Sequence, residues 1–155
     1  MTTDTLQKYY LLPSGIFVDK DPHMVDTVLG SCVSVCLYDE RIQIGGINHY
    51  MLPFWNGQGL ASPKYGNIAM DKLIEKMELL GSRRSNLIAK VFGGANQMQS
   101  SLGVGQRNVI MVKDYLSEAR IPIVAENVGG EIGRKIRFNT GSGQVLMKFL
   151  HKVVS

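Results

Sequence analysis

Cys32-Val-Ser-Val-Cys-Leu-Tyr-Asp-Glu-Arg-Ile-Gln-Ile-Gly-Gly-Ile-Asn-His49 is the stretch on which the fold turns. Cys32 to Tyr38 is apolar and β-branched, Asp39-Glu-Arg41 has the composition of a turn, and Ile42 to His49 is apolar again. Two such runs joined by a short polar turn predict a β-hairpin over residues 32–49. Alternation along the first strand puts Cys32 and Cys36 on one face. Residue 32 starts one strand and residue 49 ends its antiparallel partner, so the hairpin brings Cys32 and His49 side by side.

Outward from the hairpin, the pattern predicts further short strands. Gly15-Ile-Phe-Val18 reads as one, followed by the turn signal Asp19-Lys-Asp-Pro22. Val25 to Leu29 reads as another, separated from Cys32 by Gly30-Ser31. Leu87–Phe92 runs into Gly93-Gly94, and Ile121–Glu126, Lys135–Asn139 and Gln144–Leu150 are strand-like. Helical period appears twice. Ala69, Leu73, Ile74, Met77 and Leu80 form one stripe over Ile68–Leu80, ahead of Gly81; Val109, Val112, Leu116 and Ala119 form another over Arg107–Arg120. Residues 53–67, with Pro53, Gly57, Gly59, Pro63, Gly66 and the only tryptophan, Trp55, read as a loop. The expected architecture is α/β, a layered sandwich of mixed, mostly antiparallel sheet with two main helices, formed as one domain over residues 1–155.

The bulk properties agree with a globular chain. The chain has 155 residues, 45% of them hydrophobic and 19% charged, which is too apolar for intrinsic disorder. No apolar run has the length of a membrane helix, and the first residues lack the basic and apolar regions of a signal peptide. A cytoplasmic protein with two reduced thiols is the expectation. Charge is uneven. Residues 1–62 carry six acidic and three basic side chains, and residues 63–155 carry seven and fourteen. No acid follows Glu131, whereas Arg134, Lys135, Arg137, Lys148 and Lys152 do. This basic end fits either an ordinary solvated face or a surface for an acidic partner. It has no basic block or aromatic-interleaved RNA motif, so nucleic acid is not expected.

Gly30-Ser31 sits immediately before Cys32. A glycine there permits an unusual backbone angle and close approach, and it leaves the N–H groups of Ser31 and Cys32 placed to hold an oxyanion. Cysteine is the most nucleophilic side chain, and a neighbouring imidazole activates it. Of the three histidines, His23, His49 and His151, only His49 ends the strand that pairs with Cys32. The same residues also fit a buried core thiol and a core histidine. Cys36, with no glycine break, reads as core. Two cysteines four apart with scattered histidines do not make a zinc spacing, and no metal or cofactor is expected. Gly103-Val-Gly105 before a helix suggests phosphate binding only faintly: the third glycine and a Walker lysine are both lacking.

Several motifs, in order, resemble those of the CheD family of chemoreceptor glutamine deamidases. They are Val28-Leu-Gly-Ser-Cys-Val-Ser-Val-Cys-Leu-Tyr-Asp39, Gly45-Gly-Ile-Asn-His-Tyr-Met-Leu-Pro53, Lys64-Tyr-Gly, Ala89-Lys-Val-Phe-Gly-Gly-Ala95 and Gly129-Gly-Glu-Ile-Gly-Arg-Lys-Ile-Arg-Phe138. The resemblance covers roughly residues 12–150. It implies a fold like the deamidating domain of certain bacterial cytotoxins. It implies hydrolysis of glutamine side-chain amides on chemotaxis receptors, with Cys32 as nucleophile and His49 as its base. The family's third residue, a threonine shortly before the cysteine, maps to Thr27, with Asp26 as the alternative. The resemblance also implies binding to the phosphatase CheC, so a mainly non-catalytic regulator of CheC is the competing expectation. Either protein would act as a monomer, outside the membrane. Helix 68–80 or the segment 93–105 would supply the docking surface.

Overall fold

A computed structural model describes residues 5–96 and 103–151. Nine strands and two helices follow in the order β1 (Gln7–Tyr10), β2 (Ile16–Val18), β3 (His23–Leu29), β4 (Val33–Asp39), β5 (Ile44–Asn48), α1 (Gly66–Leu79), β6 (Leu87–Gly93), α2 (Val104–Glu118), β7 (Ile123–Val128), β8 (Arg134–Asn139) and β9 (Val145–Phe149). They form a four-stranded sheet, β1-β3-β8-β9, and a five-stranded sheet, β2-β5-β4-β6-β7. Each sheet has one parallel pair, β1 with β3 and β6 with β7, and is otherwise antiparallel. The expected α/β layering with two helices is therefore present, and the predicted hairpin is the antiparallel pair β4–β5.

The layers are helices, five-stranded sheet, four-stranded sheet, and β4 at the centre shows why. All seven of its residues are buried. Val33, Val35 and Leu37 point to one side, where Leu73, Ile74 and Met77 of α1 and Met111, Val112 and Leu116 of α2 close over them. Cys36 points to the other, into a second cluster with Val25, Leu29, Ile47, Ile136 and Phe138 between the sheets. A strand covered on both faces must be apolar throughout, as β4 nearly is. Gly45 and Gly46 of β5 let both layers close on it. A Cβ on Gly46 would meet Val18 at 2.7 Å and Leu73 at 2.9 Å, and one on Gly45 would meet Phe138 at 2.8 Å on the opposite side. Among the described residues no element covers the outer face of the four-stranded sheet, where Asp26 and Arg137 meet and Arg137 is half-exposed.

Three readings of the sequence need correction. Strand β1 is absent from the pattern, because Gln7-Lys-Tyr-Tyr10 is exposed at every position and lies at a sheet edge. It is fixed by parallel pairing with β3 rather than by its own alternation. Helix α2 begins at Val104, not Arg107. Gly105 is part of the helix because a Cβ there would lie 2.5 Å from the Ala95 carbonyl oxygen, so this glycine marks close packing rather than a break. Strand β7 runs over Ile123–Val128, later than the apolar run at 121–126 suggests, because Pro122 comes first and offers only its carbonyl, to the Ala89 N–H.

Candidate active site

Thr27 is one of the inward residues of β3, fully buried between Val25 and Leu29. Its hydroxyl lies 2.8 Å from the Leu11 carbonyl oxygen and 2.7 Å from His49 Nδ1, across the gap between the two sheets. A hydroxyl has one proton and a carbonyl only accepts, so Thr27 donates to Leu11 and accepts from His49 Nδ1–H. The proton is thus assigned to Nδ1, and the Nε2 lone pair is left as the basic position. The His49 backbone is held on its other side, its N–H to the Gly15 carbonyl and its carbonyl to the Ser14 N–H.

Val33 and Tyr50 form a bridge with both backbone bonds, at 3.1 and 3.0 Å. Continuing that register places His49 across from Ser34, so Cys32 is its diagonal rather than its direct neighbour. Diagonal neighbours on one sheet face lie about 7–8 Å apart, with their Cβ atoms somewhat closer, within reach of an aromatic side chain. Cys32 packs on the inter-sheet cluster, the face toward which His49 bonds Thr27. Cys32 is half-buried and Cys36 buried.

Cys32 is held by its surroundings more than by its strand. Its carbonyl accepts from the Gly94 N–H and that of Gly30 from the Ala95 N–H, both at 2.9 Å. A Cβ on Gly93 would lie 2.2 Å from the Cys32 carbonyl oxygen, and Gly93 adopts φ +110°, so glycine is required on both counts. Burial pushes the Cys32 thiol up, opposed by its own backbone N–H. Burial also pushes His49 down to about 4. At neutral pH the imidazole is therefore uncharged, as a proton acceptor must be.

Asp26 does not share this site. It lies on the outer face of the sheet, where its carboxylate takes Arg137 Nε at 2.8 Å and Nη2 at 3.0 Å, with Lys135 Nζ at 3.7 Å. The Arg137 hydrogen bonds hold its carboxyl below the usual range. Of the two residues the sequence left open, Thr27 is the one that touches His49.

The basic end is also less uniform than it reads. Arg134 is 1% exposed. Its Nη1 donates to the Asn127 carbonyl at 2.6 Å and its Nη2 to the Gly129 carbonyl, closing the turn after β7. That turn bonds Gly93 and Asn96, beside the strand end that meets Cys32. Lys152 and residues 97–102 of the supposed docking segment lie outside the described residues. In the loop 53–67, Trp55 is half-buried with its indole N–H on the Gln58 carbonyl, and the exposed apolar residues are instead Phe54 and Leu60. Two contributors went unread: the Leu11 carbonyl, because β1 carries no pattern, and Arg134, because its charge suggests solvent.

The family profile described as CheD chemotactic sensory transduction matches residues 51–149. The chain belongs to the CheD family. It is 51% identical over 150 residues to a protein of Sulfurimonas denitrificans called probable chemoreceptor glutamine deamidase CheD, covering 94% of this chain and 96% of that one. A protein of the same name from Trichlorobacter lovleyi is 50% identical over 145 residues, covering 92% and 90%. Another from Vibrio cholerae is 36% identical over 148 residues, covering 89% and 64%. The S. denitrificans alignment leaves out under a tenth of the chain, so it spans the strands on either side of Cys32 and His49. Among the described residues of this CheD-family chain, no helix is long and apolar enough to cross a membrane.

Proposed function

We propose that the chain hydrolyses the side-chain amide of glutamine residues on chemotaxis receptors, in the cytoplasm, with Cys32, His49 and Thr27 as its catalytic group. The supporting observation is the hydrogen bond from His49 Nδ1–H to a Thr27 hydroxyl that is itself spent on Leu11. It leaves Nε2 as a base on the face that Cys32 occupies. The receptor substrate follows from the names of the relatives.

In this reading His49 Nε2 takes the thiol proton as Cys32 Sγ attacks the carboxamide carbon. The oxyanion rests on the backbone N–H groups of Cys32 and Ser31. The imidazolium then protonates the leaving nitrogen, ammonia departs, and a thioester remains. Water loses a proton to the same Nε2 and attacks the thioester. Glutamate leaves, and the thiol regains its proton. Thr27 keeps the imidazole in one tautomer throughout, as the third member of a triad does. Among the described residues, no three His, Cys, Asp or Glu side chains come together as metal ligands, and no step above calls on a metal. The same reading carries the likeness to cytotoxin deamidating domains, and a chain that works as a monomer.

The test is incubation with a receptor cytoplasmic fragment, followed by mass spectrometry of its glutamine-bearing peptides. The expected result is the small mass gain of amide-to-acid conversion with stoichiometric ammonia, absent with Cys32→Ala. A fragment unchanged by the wild-type chain would end this proposal. A Cys32→Ala strain that adapts normally would point instead to a binding role toward CheC.

A further inference from the structure

We infer that Asn108 of α2 is a positioning residue that holds the strand end carrying Cys32 and the strand end carrying His49 at one fixed separation. The inference rests on the assignment of those two residues proposed above. Asn108 is fully buried. Its Nδ2 donates to the Ser31 carbonyl and to the Met51 carbonyl, both at 3.0 Å. Its backbone carbonyl accepts from the Tyr50 hydroxyl at 2.7 Å. Ser31 precedes Cys32 and Tyr50 follows His49, so three bonds from both strand ends converge on one helix residue.

The orientation of the amide is fixed by chemistry, since two carbonyls demand two N–H donors. Both are used, and Oδ1 is left buried without a partner among the described residues. An apolar side chain would avoid that unpaired acceptor. The two donations are therefore what an asparagine contributes here. They are needed because the β4–β5 ladder is weak at this end. The Val35 N–H is taken by the Asn48 side-chain oxygen at 2.9 Å rather than by the facing backbone. Beyond it the Val33–Tyr50 bridge stands alone. Asn108 closes the pair from the helix side while the reacting groups face the other sheet, so it acts without touching them.

The experiment compares Asn108→Ala with Leu116→Ala, a buried residue of the same helix that makes none of these three hydrogen bonds. Two readouts are taken: steady-state ammonia release from a receptor fragment, and hydrogen exchange at the amides of Val33, Gly94 and Ala95. For Asn108→Ala the expectation is a fall in kcat of about 100-fold, the usual cost of misplacing reacting groups by about 1 Å, with KM little changed. Exchange at the three amides should quicken. Leu116→Ala should lower Tm while leaving kcat and these amides at wild-type values. Wild-type kcat and exchange in Asn108→Ala would overturn the inference, as would losses of kcat that track Tm equally in both variants. Should Asn108→Ala fail to fold, Asn108→Leu removes both amide donations and nearly keeps the volume. A lower kcat with faster Val33 exchange then supports the inference, and wild-type values refute it. A wild-type chain that releases no ammonia would remove the deamidase reading alone, because the exchange readout still decides the role of Asn108.

Discussion

On one face of strand β4, Val33, Val35 and Leu37 are packed by two helices in a cluster made of hydrophobic side chains. On the other face, Ser34 and Cys36 look toward the second sheet, in a layer that also buries Thr27 and His49. The Ser34 hydroxyl finds no partner among the described residues, and such a group costs about 1–3 kcal/mol when buried. The two faces of one strand thus differ in what limits them. The helix face can be optimised for packing alone. The inter-sheet face keeps polar groups that weaken it, and the proposed chemistry is there. Substitutions on the helix face of β4 should therefore cost stability alone, and those that cost activity should lie on the inter-sheet face.

The sharpest break of that separation is at the cysteines. Cys32→Ala should abolish ammonia release and leave the melting temperature near its wild-type value, because the residue is half-buried at a strand end. Cys36→Ala should do the opposite, retaining turnover and losing about 1–3 kcal/mol of stability to the cavity. Activity lost with Cys36→Ala in a folded protein would reverse the assignment. Next in size is Thr27→Val, which keeps the shape and removes the hydroxyl that fixes the His49 tautomer. A fall in kcat of roughly 100-fold is expected, as for other misplaced catalytic groups. On the helix face, Leu37→Ala should cost about 2–5 kcal/mol in a denaturant titration with kcat unchanged.

His49 gives the two faces different acid behaviour. Its folded value of about 4 lies below the ordinary 6.5, so the unfolded chain binds a proton that the folded chain refuses. Stability from this residue is complete above about pH 6.5 and falls as the pH drops toward 4, where it levels off, for a loss of about 3 kcal/mol. His49→Gln should remove that slope, measured as unfolding free energy against pH. A slope retained in the variant would place the titration elsewhere.

How far the sequence reaches follows from the same contrast. The hairpin was legible because β4 and β5 are apolar runs around a polar turn, and the two strands do pair antiparallel. Its register was legible only to within a step. The sequence puts Cys32 and His49 side by side, whereas the Val33–Tyr50 bridge makes them diagonal. Glycine misled where it serves close packing, as at Gly105 in α2. Charge misled at Arg134, which is buried among carbonyls, because a guanidinium is read as solvated unless its partners are known. The choice between Asp26 and Thr27 was beyond spacing, since adjacent strand residues point to opposite faces and only the packed sheet says which face meets His49.

Asp26 therefore supplies the smallest expected effect and a direct check of the inner and outer faces. Asp26→Asn keeps the side-chain shape and removes the charge that Arg137 and Lys135 share. Because the pair is partly solvated, the loss at neutral pH should be under about 1 kcal/mol, and it should shrink further with added salt. The sign with pH is fixed by the Arg137 hydrogen bonds, which lower the Asp26 pKa. The pair's contribution is present above the ordinary carboxylate range and disappears as the pH falls through the lowered value, so variant and wild type should converge in strong acid. Turnover should not change, since the carboxylate points away from His49. If instead Asp26→Asn lost turnover to the extent expected of Thr27→Val, the outer face would belong to the catalytic machinery, and the division of this fold into a reacting interior and an inert outer face would be wrong.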